Sequence, residues 1–539
     1  MASQTKRPRR KIASRTNYEE DIADYVIETD ESCSSESVID VNDFDVKSET
    51  GSDCDESERA DSHDLTTSSA TLWESVNDLD ADSVTLNSFT GTSGPVFNPV
   101  EDTEPVQYFD KFFAPLTESG QSLWKLIVIE TNKYYQYYLS QNHTIKANSK
   151  VKLWKDIDVK TMRAFIGILL NMSLVRKHSF HSYWDTTHFP QATQVFRKTF
   201  KLETFKLILH FFHVSDRNKE PKRRSPAHDQ IYKFRPMFDH LNATWSQQYK
   251  PPCTISIDES IVGFKGHHNL VKYIRIKKHH QWGPKEYNLC DAKTCYCFRT
   301  LYHTSGMPTS VHGQPYKVCE TLMSGLFERN HHLVVDNYYT SVPLCEEMLK
   351  KGLYVTGIIQ AKCKGLPQEM KHKLKQKEDI IACRKVGMLA INWMDRKQAQ
   401  LLTTHASAKQ VEVVRRRFGD TRTISQVVQE YNAGMGCIDM RDQMADAYAA
   451  EFRTVKCLKK VLFHLIDRTL TNAYICYKKN SNRTDKPMTH HQFIIDVVES
   501  LIGDYKEPHS QIGRPSFGTP ASRITDRHFL ESIPDKKRK

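Results

Sequence analysis

Leu333-Val334-Val335-Asp336-Asn337-Tyr338-Tyr339-Thr340-Ser341-Val342-Pro343-Leu344 decides the fold class. Its first three residues are uniformly apolar and read as a fully buried strand. Asp336 ends that run. Thr340-Ser341 then offers a hydroxyl N-cap, with Pro343 in the first helical turn and Gly352 at the far end. Tyr354-Val355-Thr356-Gly357 is the next predicted strand. Upstream, residues 254–257 form a short strand, and the β-branched and aromatic content of 289–302 predicts another strand or a hairpin. Strands that feed helices in this way define an α/β block.

On either side the period changes. Val106, Phe109, Phe112 and Phe113 recur at helical spacing, followed by Leu123, Leu126, Ile127 and Ile129, then 162–172, then Phe205, Ile208, Leu209 and Phe212. Residues 105–252 are therefore expected to be all-helical, closed by Pro251-Pro252. Beyond the α/β block, 361–423 is basic and mixed, with a hairpin expected from 388–393 and 400–404. From Ser425 the pattern is helical again, clearest over 461–477 and 491–502. Residues 1–104 are rich in Ser, Thr, Asp and Glu and carry few aromatics, so disorder is expected there. The stretch 506–539 reads as a flexible tail with a basic finish.

Charge divides the 539 residues sharply. Six basic residues and no acid occupy 1–15; residues 16–105 carry 25 acids against Lys47 and Arg59, a net of −23. The remaining 106–539 has a net of +28. A strongly basic body behind an acidic tail points to a polyanionic partner, most simply nucleic acid. No apolar run approaches a membrane span, the longest being helix-core sized, as at 165–170. The first residues hold no apolar segment of a secretory signal. Thirteen cysteines, an odd number scattered along the chain, do not read as a disulfide framework, which predicts a reducing compartment. The basic clusters at 6–11 and 536–539 resemble nuclear-import signals, so a nuclear location is expected.

Three acids occupy positions that metal-assisted phosphoryl chemistry would use. Asp258 follows the strand at 254–257, Asp336 ends the strand at 333–335, and Asp439 lies at or near a helix start in Gly436-Cys437-Ile438-Asp439-Met440-Arg441-Asp442, with Asp442 one turn on. Mg²⁺ prefers hard carboxylate oxygens, and two such ions can activate an attacking hydroxyl and neutralise a leaving oxygen. Carboxylates at strand ends of a mixed sheet can converge although far apart in sequence. For any single Asp, a cap or turn residue is the commoner explanation.

The surroundings of these acids narrow the choice. Ser256-Ile257-Asp258-Glu259-Ser260 with Phe264-Lys265-Gly266, Val335-Asp336-Asn337-Tyr338-Tyr339-Thr340-Ser341, and Tyr431-Asn432, Met435-Gly436, Asp439 and Asp442-Gln443-Met444 together resemble the piggyBac transposase family, including its transposable element-derived members. Thr131-Asn132-Lys133-Tyr134, Trp154-Lys155-Asp156 and Arg527-His528-Phe529-Leu530 extend the likeness from about Val106 to Pro534. The resemblance implies an α/β fold in which a ribonuclease H-like core, 253–360 and 424–448, is interrupted by an insertion domain, 361–423. Around it would wrap a helical dimerisation and DNA-binding domain, 105–252 and 449–505. It implies catalytic roles for Asp258, Asp336, Asp439 and Asp442, and Mg²⁺ or Mn²⁺ as a pair of ions held by the first three. It further implies cleavage of double-stranded DNA at transposon ends, integration at TTAA, and a homodimer. Departures point to the alternative, a domesticated DNA- or chromatin-binding protein without transposition. Cys457 stands where family members usually carry Trp, Cys437 replaces a Gly, and Gly357-Ile358-Ile359-Gln360-Ala361-Lys362-Cys363 lacks two arginines that could pair phosphates bidentately. The family's Cys/His-rich zinc module does not follow Arg527-His528-Phe529, and no zinc is expected.

Other candidates carry less chemistry. Lys272, Arg275, Lys277 and Lys278, with Tyr273 interleaved, fit either a DNA-lining surface or a solvated face. Lys362 and Lys364 supply point charges, and Arg415, Arg416 and Arg417 favour phosphate contact from the insertion. Cys290, Cys295 and Cys297 lack a second pair at zinc spacing and read as strand-core cysteines. The doublets His267-His268, His279-His280, His331-His332 and His490-His491 do not face one way as neighbours, so no metal role is expected of them.

Overall fold

A computed structural model describes residues 73–99, 103–142, 145–146, 149–188, 192–222, 225–275, 280–414, 421–449, 456–481 and 487–508. In chain order these form β1 (Glu74–Ser75), β2 (Gly94–Pro95), α1 (Pro105–Phe113), α2 (Leu123–Gln141), α3 (Val159–Leu174), α4 (Phe180–Trp184), α5 (Gln194–Thr199), α6 (Leu202–Phe211), α7 (Arg235–Gln248) and β3 (Tyr249–Lys250). There follow β4 (Thr254–Ile261), β5 (Val271–Tyr273), β6 (Trp282–Asp291), β7 (Cys297–Tyr302), α8 (Gly313–Met323), β8 (His331–Val335), α9 (Val342–Lys350) and β9 (Leu353–Ile358). The last part holds β10 (Ile380–Lys385), β11 (Met388–Met394), β12 (Gln398–Thr403), β13 (Gln410–Val414), β14 (Thr421–Ser425), α10 (Gln426–Met435), α11 (Cys437–Ala447), α12 (Cys457–Ser481) and α13 (His490–Ile502). Among these helices none is long and apolar enough to cross a membrane.

The predicted strand–cap–helix unit is present. Ser341 accepts a hydrogen bond from the Leu344 amide at 3.2 Å, Pro343 sits in the first turn of α9, and Gly352 takes a left-handed φ of 68° beyond its end. β4, β6 and β7 form an antiparallel meander, whereas β4–β8 and β8–β9 pair in parallel across helical connections. The region 289–302 is a hairpin, turned by Asp291, whose carboxylate accepts from the Lys293 and Thr294 amides at 2.8 and 3.1 Å. The expected 388–393 and 400–404 hairpin also forms, as β11 and β12. It does not stand apart in an insertion. β12 pairs antiparallel with β9, so β10–β12 and β1 extend the same sheet to ten strands.

The helical segments on the two sides of the sheet join each other. Tyr108 of α1 packs edge-on against Tyr477 of α12 at 5.7 Å, Phe212 stacks near Phe463, and Trp245 of α7 donates to Thr469 of α12 at 3.2 Å. Nearly every side of α3 is buried, including Phe165, Ile166, Ile168, Leu169 and Leu170, because α2 and α13 cover it. That closure explains an apolar run too dense for a one-sided amphipathic helix.

Within the described residues, 73–99 depart from the expected disorder and 506–508 from the expected flexible tail. Residues 73–99 lie along the body: Trp73 donates to the Gly365 carbonyl at 2.8 Å, Asn87 to the Tyr354 hydroxyl at 2.8 Å, and β2 pairs with β3. Composition missed this because a few anchors suffice, above all Asp82, which accepts from Arg384 Nε and the Ala408 amide, both at 2.7 Å. At the other end, Glu507 accepts from the Lys201 amide at 2.7 Å and Thr204 Oγ1 at 2.9 Å, holding 506–508 against the start of α6. Residues 1–72 and 509–539 lie outside the described residues.

Candidate active site

Register brings the first two acids together. The last parallel pair between β4 and β8 is Ile257 opposite Val335, and Asp258 and Asp336 are the next residue of each strand. Adjacent strands lie about 4.8 Å apart, so the two backbones enter the site side by side. Asp258 is buried, and its Oδ1 accepts from the Glu259 amide at 2.7 Å. At Asp336 the chain turns. Its carbonyl accepts from the Tyr339 and Thr340 amides and from Thr340 Oγ1 at 2.9 Å, while its Oδ1 accepts from the Asn337 amide at 2.6 Å. Gly357 of β9 makes room for this turn, since a Cβ there would sit 2.1 Å from Thr340 Oγ1.

The third acid arrives on a helix laid over the sheet. Alternation puts Ser256 and Asp258 of β4 on one face, together with His332 and Val334 of β8. On that face Gly434 of α10 approaches Val334 so closely that a Cβ would meet its Cγ2 at 2.6 Å. Cys437 Sγ, at the start of α11, lies 2.8 Å from Ser256 Oγ. Asp439 is two residues further along α11, exposed.

Tyr431 of α10 reports the convergence. Burial pushes its hydroxyl well above the usual phenol range, and the charges of Asp336, Asp258 and Asp439 push it further. The charges of three acids separated in sequence by 78 and 103 residues therefore all reach one phenol.

Asp442 is tied to something else. Its Oδ1 takes the guanidinium of Arg441 at 2.6 Å, and Arg441 is itself buried, reaching Ser260 Oγ at 3.2 Å and Cys290 Sγ at 3.4 Å. Ser260 donates to Glu286 of β6 at 2.7 Å. Glu286 is fully buried and pairs with Arg468 and, at 3.2 Å, with His464, both from α12. Burial alone would push the Glu286 carboxyl up; Arg468 and His464 overturn that and hold it well below the usual carboxylate range. The network joins β4, β6, α11 and α12 behind the three acids. Tyr431 belongs to a motif quoted from the sequence, whereas Glu286 and Arg468, the buried pair behind the acids, were not singled out there. A charged residue in a mostly buried strand gives no signal until its partner, 182 residues away, is seen.

The basic residues are spread around the same sheet. Lys272 and Arg275 are exposed on and beside β5, where Tyr273 and Trp282 form a half-exposed aromatic pair at 4.6 Å. Lys362 and Lys364 are exposed in the turns after β9, at the sheet end where Asp336 lies. Lys277, Lys278, Arg415, Arg416 and Arg417 lie outside the described residues. Cys290, Cys295 and Cys297 are buried and share a cluster with Cys437 and Ile438, which is the strand-core role expected of the first three. Cys457 is buried at the start of α12.

Comparison with known proteins agrees with this architecture. The family model described as Transposase IS4 matches residues 104–474. Human PiggyBac transposable element-derived protein 5 is 22% identical over 77% of this chain and 78% of its own length. Human PiggyBac transposable element-derived protein 3 is 25% identical over 68% of the chain, and protein 2 is 22% identical over 69%. The chain spans only 62% and 61% of the lengths of those two. Among solved structures, the piggyBac transposase in a synaptic complex with hairpin DNA aligns with a TM-score of 0.65 at 20% identity, covering 77% of this chain and 83% of that one. The family match over most of the ordered body, joined to the three converging acids, places the chain in the piggyBac family of transposases and transposase-derived proteins.

Proposed function

We propose that the chain is a DDE/D-type DNA strand transferase of the piggyBac kind, cutting double-stranded DNA at transposon ends and joining it at TTAA. The observation that carries this reading is the register that sets Asp258 beside Asp336, with α11, which carries Asp439, seated on β4 through Cys437 and Ser256. A ribonuclease H-like core is the finer description we favour. The strand order β7-β6-β4-β8-β9, with one acid on the central strand, one past its parallel neighbour and one on a following helix, supports it.

The donor set fits the implied ions. Three carboxylates offer hard oxygen ligands, and their mutual repulsion is relieved by a divalent cation. Mg²⁺ or Mn²⁺, as a pair, would supply an activated hydroxyl nucleophile and a neutralised leaving oxygen. The chain's own part is to fix the donors. The parallel register sets Asp258 beside Asp336, the 336–340 turn aims the latter, and the Cys437–Ser256 contact sets the height of Asp439 over the sheet. Arg441 and the Glu286 network hold α11 at that height and orient Asp442. Exposed Lys272, Arg275, Lys362 and Lys364 are placed to contact phosphates, and the Tyr273–Trp282 pair offers a surface on which a displaced base can stack. TTAA specificity, a homodimer and a nuclear location rest on the family resemblance and the basic clusters, and we include them in the proposal on that basis.

A binding-only, domesticated protein is the second reading. It is favoured by Gln360, which stands where the family carries a guanidinium, leaving only point charges in the turn beside the acids. Incubating the full chain and its Asp336→Ala form with hairpin-end and blunt duplexes in Mn²⁺ separates the two. Nicking by the first and not the second supports the transferase. Tight binding without nicking by either supports the domesticated protein.

A further inference from the structure

We propose a second, separate metal site, of the kind that takes Zn²⁺ or a similar first-row transition ion, formed by His332, His405 and Glu430. One ligand atom from each of these residues lies within 4.8 Å of the others. They come from three places in the fold: His332 from the buried centre of β8, His405 from just past β12, and Glu430 from α10. Nothing in the transposase chemistry calls on them. In sequence they are scattered, and His332 is joined not to its neighbour His331 but to a residue 73 positions away.

The site is built rather than accidental. The two imidazoles stack with centroids 3.9 Å apart and planes within 3° of parallel. His405 Nδ1 already lies 2.8 Å from Glu430 Oε2. Two of the ligands are steadied from outside, as ligating groups characteristically are. Thr356 Oγ1 holds His332 Nε2 at 2.8 Å and is itself paired with Thr403 Oγ1 at 2.7 Å. Gln426 donates to the other Glu430 oxygen at 3.1 Å.

The donor chemistry selects the ion. Two imidazoles and one carboxylate match a borderline ion in a four-coordinate site, whereas Mg²⁺ favours an all-oxygen shell. His332 is buried, but the His405 and Glu430 side chains keep about a fifth of their surface, leaving a side open for entry and for a water as fourth ligand. The site is distinct from the three acids, since His332 precedes Asp336 by four residues, roughly 13 Å along the strand. Its place gives it a role. An ion there would pin α10 to β8 and to the β12 end, one residue from Tyr431 and on the helix that leads into α11.

The test uses the full chain, stripped by chelator, with Asp258→Asn, Asp336→Asn and Asp439→Asn combined so that the acid site is silent. Co²⁺ is titrated as a coloured substitute for Zn²⁺, and thermal midpoints are recorded with and without Zn²⁺. The expected result is one Co²⁺ per chain, displaced by Zn²⁺ and not by Mg²⁺, with a rise in midpoint on Zn²⁺. His405→Ala and Glu430→Gln should each weaken uptake by at least about tenfold, as loss of a ligand must exceed the loss of an outer contact, and should abolish the rise. The metal-free variants' circular dichroism checks that they fold, and either variant alone suffices if the other does not. Absence of Co²⁺ uptake by the silenced chain, or unchanged uptake in a folded variant, would overturn the site.

Discussion

Ser260 of β4 and Glu286 of β6 face each other across the sheet, and the Ser260 hydroxyl donates to Glu286 Oε1 at 2.7 Å while also contacting Arg441. One hydroxyl thus links the strand that carries Asp258 to the buried charge network and to the helix that carries Asp439.

The acids should behave as a set. Replacing Asp258, Asp336 or Asp439 by Ala is expected to lower strand cleavage by more than about a hundredfold, roughly 3 kcal/mol of transition-state stabilisation, while duplex binding survives. Single-turnover cleavage and a parallel mobility shift on the same duplex measure both. Full cleavage by Asp336→Ala would remove the assignment.

Glu286 should dominate acid sensitivity. Its carboxyl is held well below the usual range in the folded chain, so the stability it contributes is present above the ordinary carboxylate value of about 4.5 and is lost as pH falls below it, until the native group also protonates. Glu286→Gln leaves Arg468 buried without its counter-charge, and a cost of about 3–5 kcal/mol is expected near neutral pH. Urea unfolding between pH 3 and 7, roughly the window set by carboxylate titration, should give a flatter profile for the variant than for the parent. Parallel profiles would show that the pair does not govern it.

Asp82 should hold residues 73–99 in place. It is nearly buried and serves both Arg384 and the Ala408 amide. Asp82→Ala strips both, and new cleavage within 73–99 is expected under limited proteolysis while the body stays resistant. An unchanged digestion pattern would mean that Trp73 and β2 suffice.

Removing residues 1–72 should tighten non-specific DNA binding. That segment carries most of the acids of 16–105 in a chain whose 106–539 has a net of +28, so it is expected to compete with phosphate. The truncated chain keeps Asp82 and its contacts. Its affinity should fall more steeply with salt, because more counterions are released per complex. Salt titrations of both chains with one duplex decide; identical slopes and affinities would dismiss the competition.

What could be read in advance followed local rules. The strand at 333–335, the Ser341 cap and the acids at strand ends are each set within a dozen residues, and the helical period of 105–252 is local too. The remainder depends on distant pairing. β1 meets β10 across about 300 residues, and Glu286 meets Arg468 across 182. His332 reads as half of a doublet until folding brings His405 onto its ring. Residues 73–99 looked unable to offset their ordering because composition weighs averages, and a few well-placed anchors escape an average.

β1 has two residues, yet it covers the outer side of β10, with the Val76 amide extending the pairing to the Ala382 carbonyl at 2.9 Å. An unpaired strand at the margin of a ten-stranded sheet is a template on which another chain can add. The segment expected from composition to be disordered therefore covers an edge that would otherwise be open to self-association. Chains that lose it should be harder to keep in solution for a reason that has nothing to do with DNA.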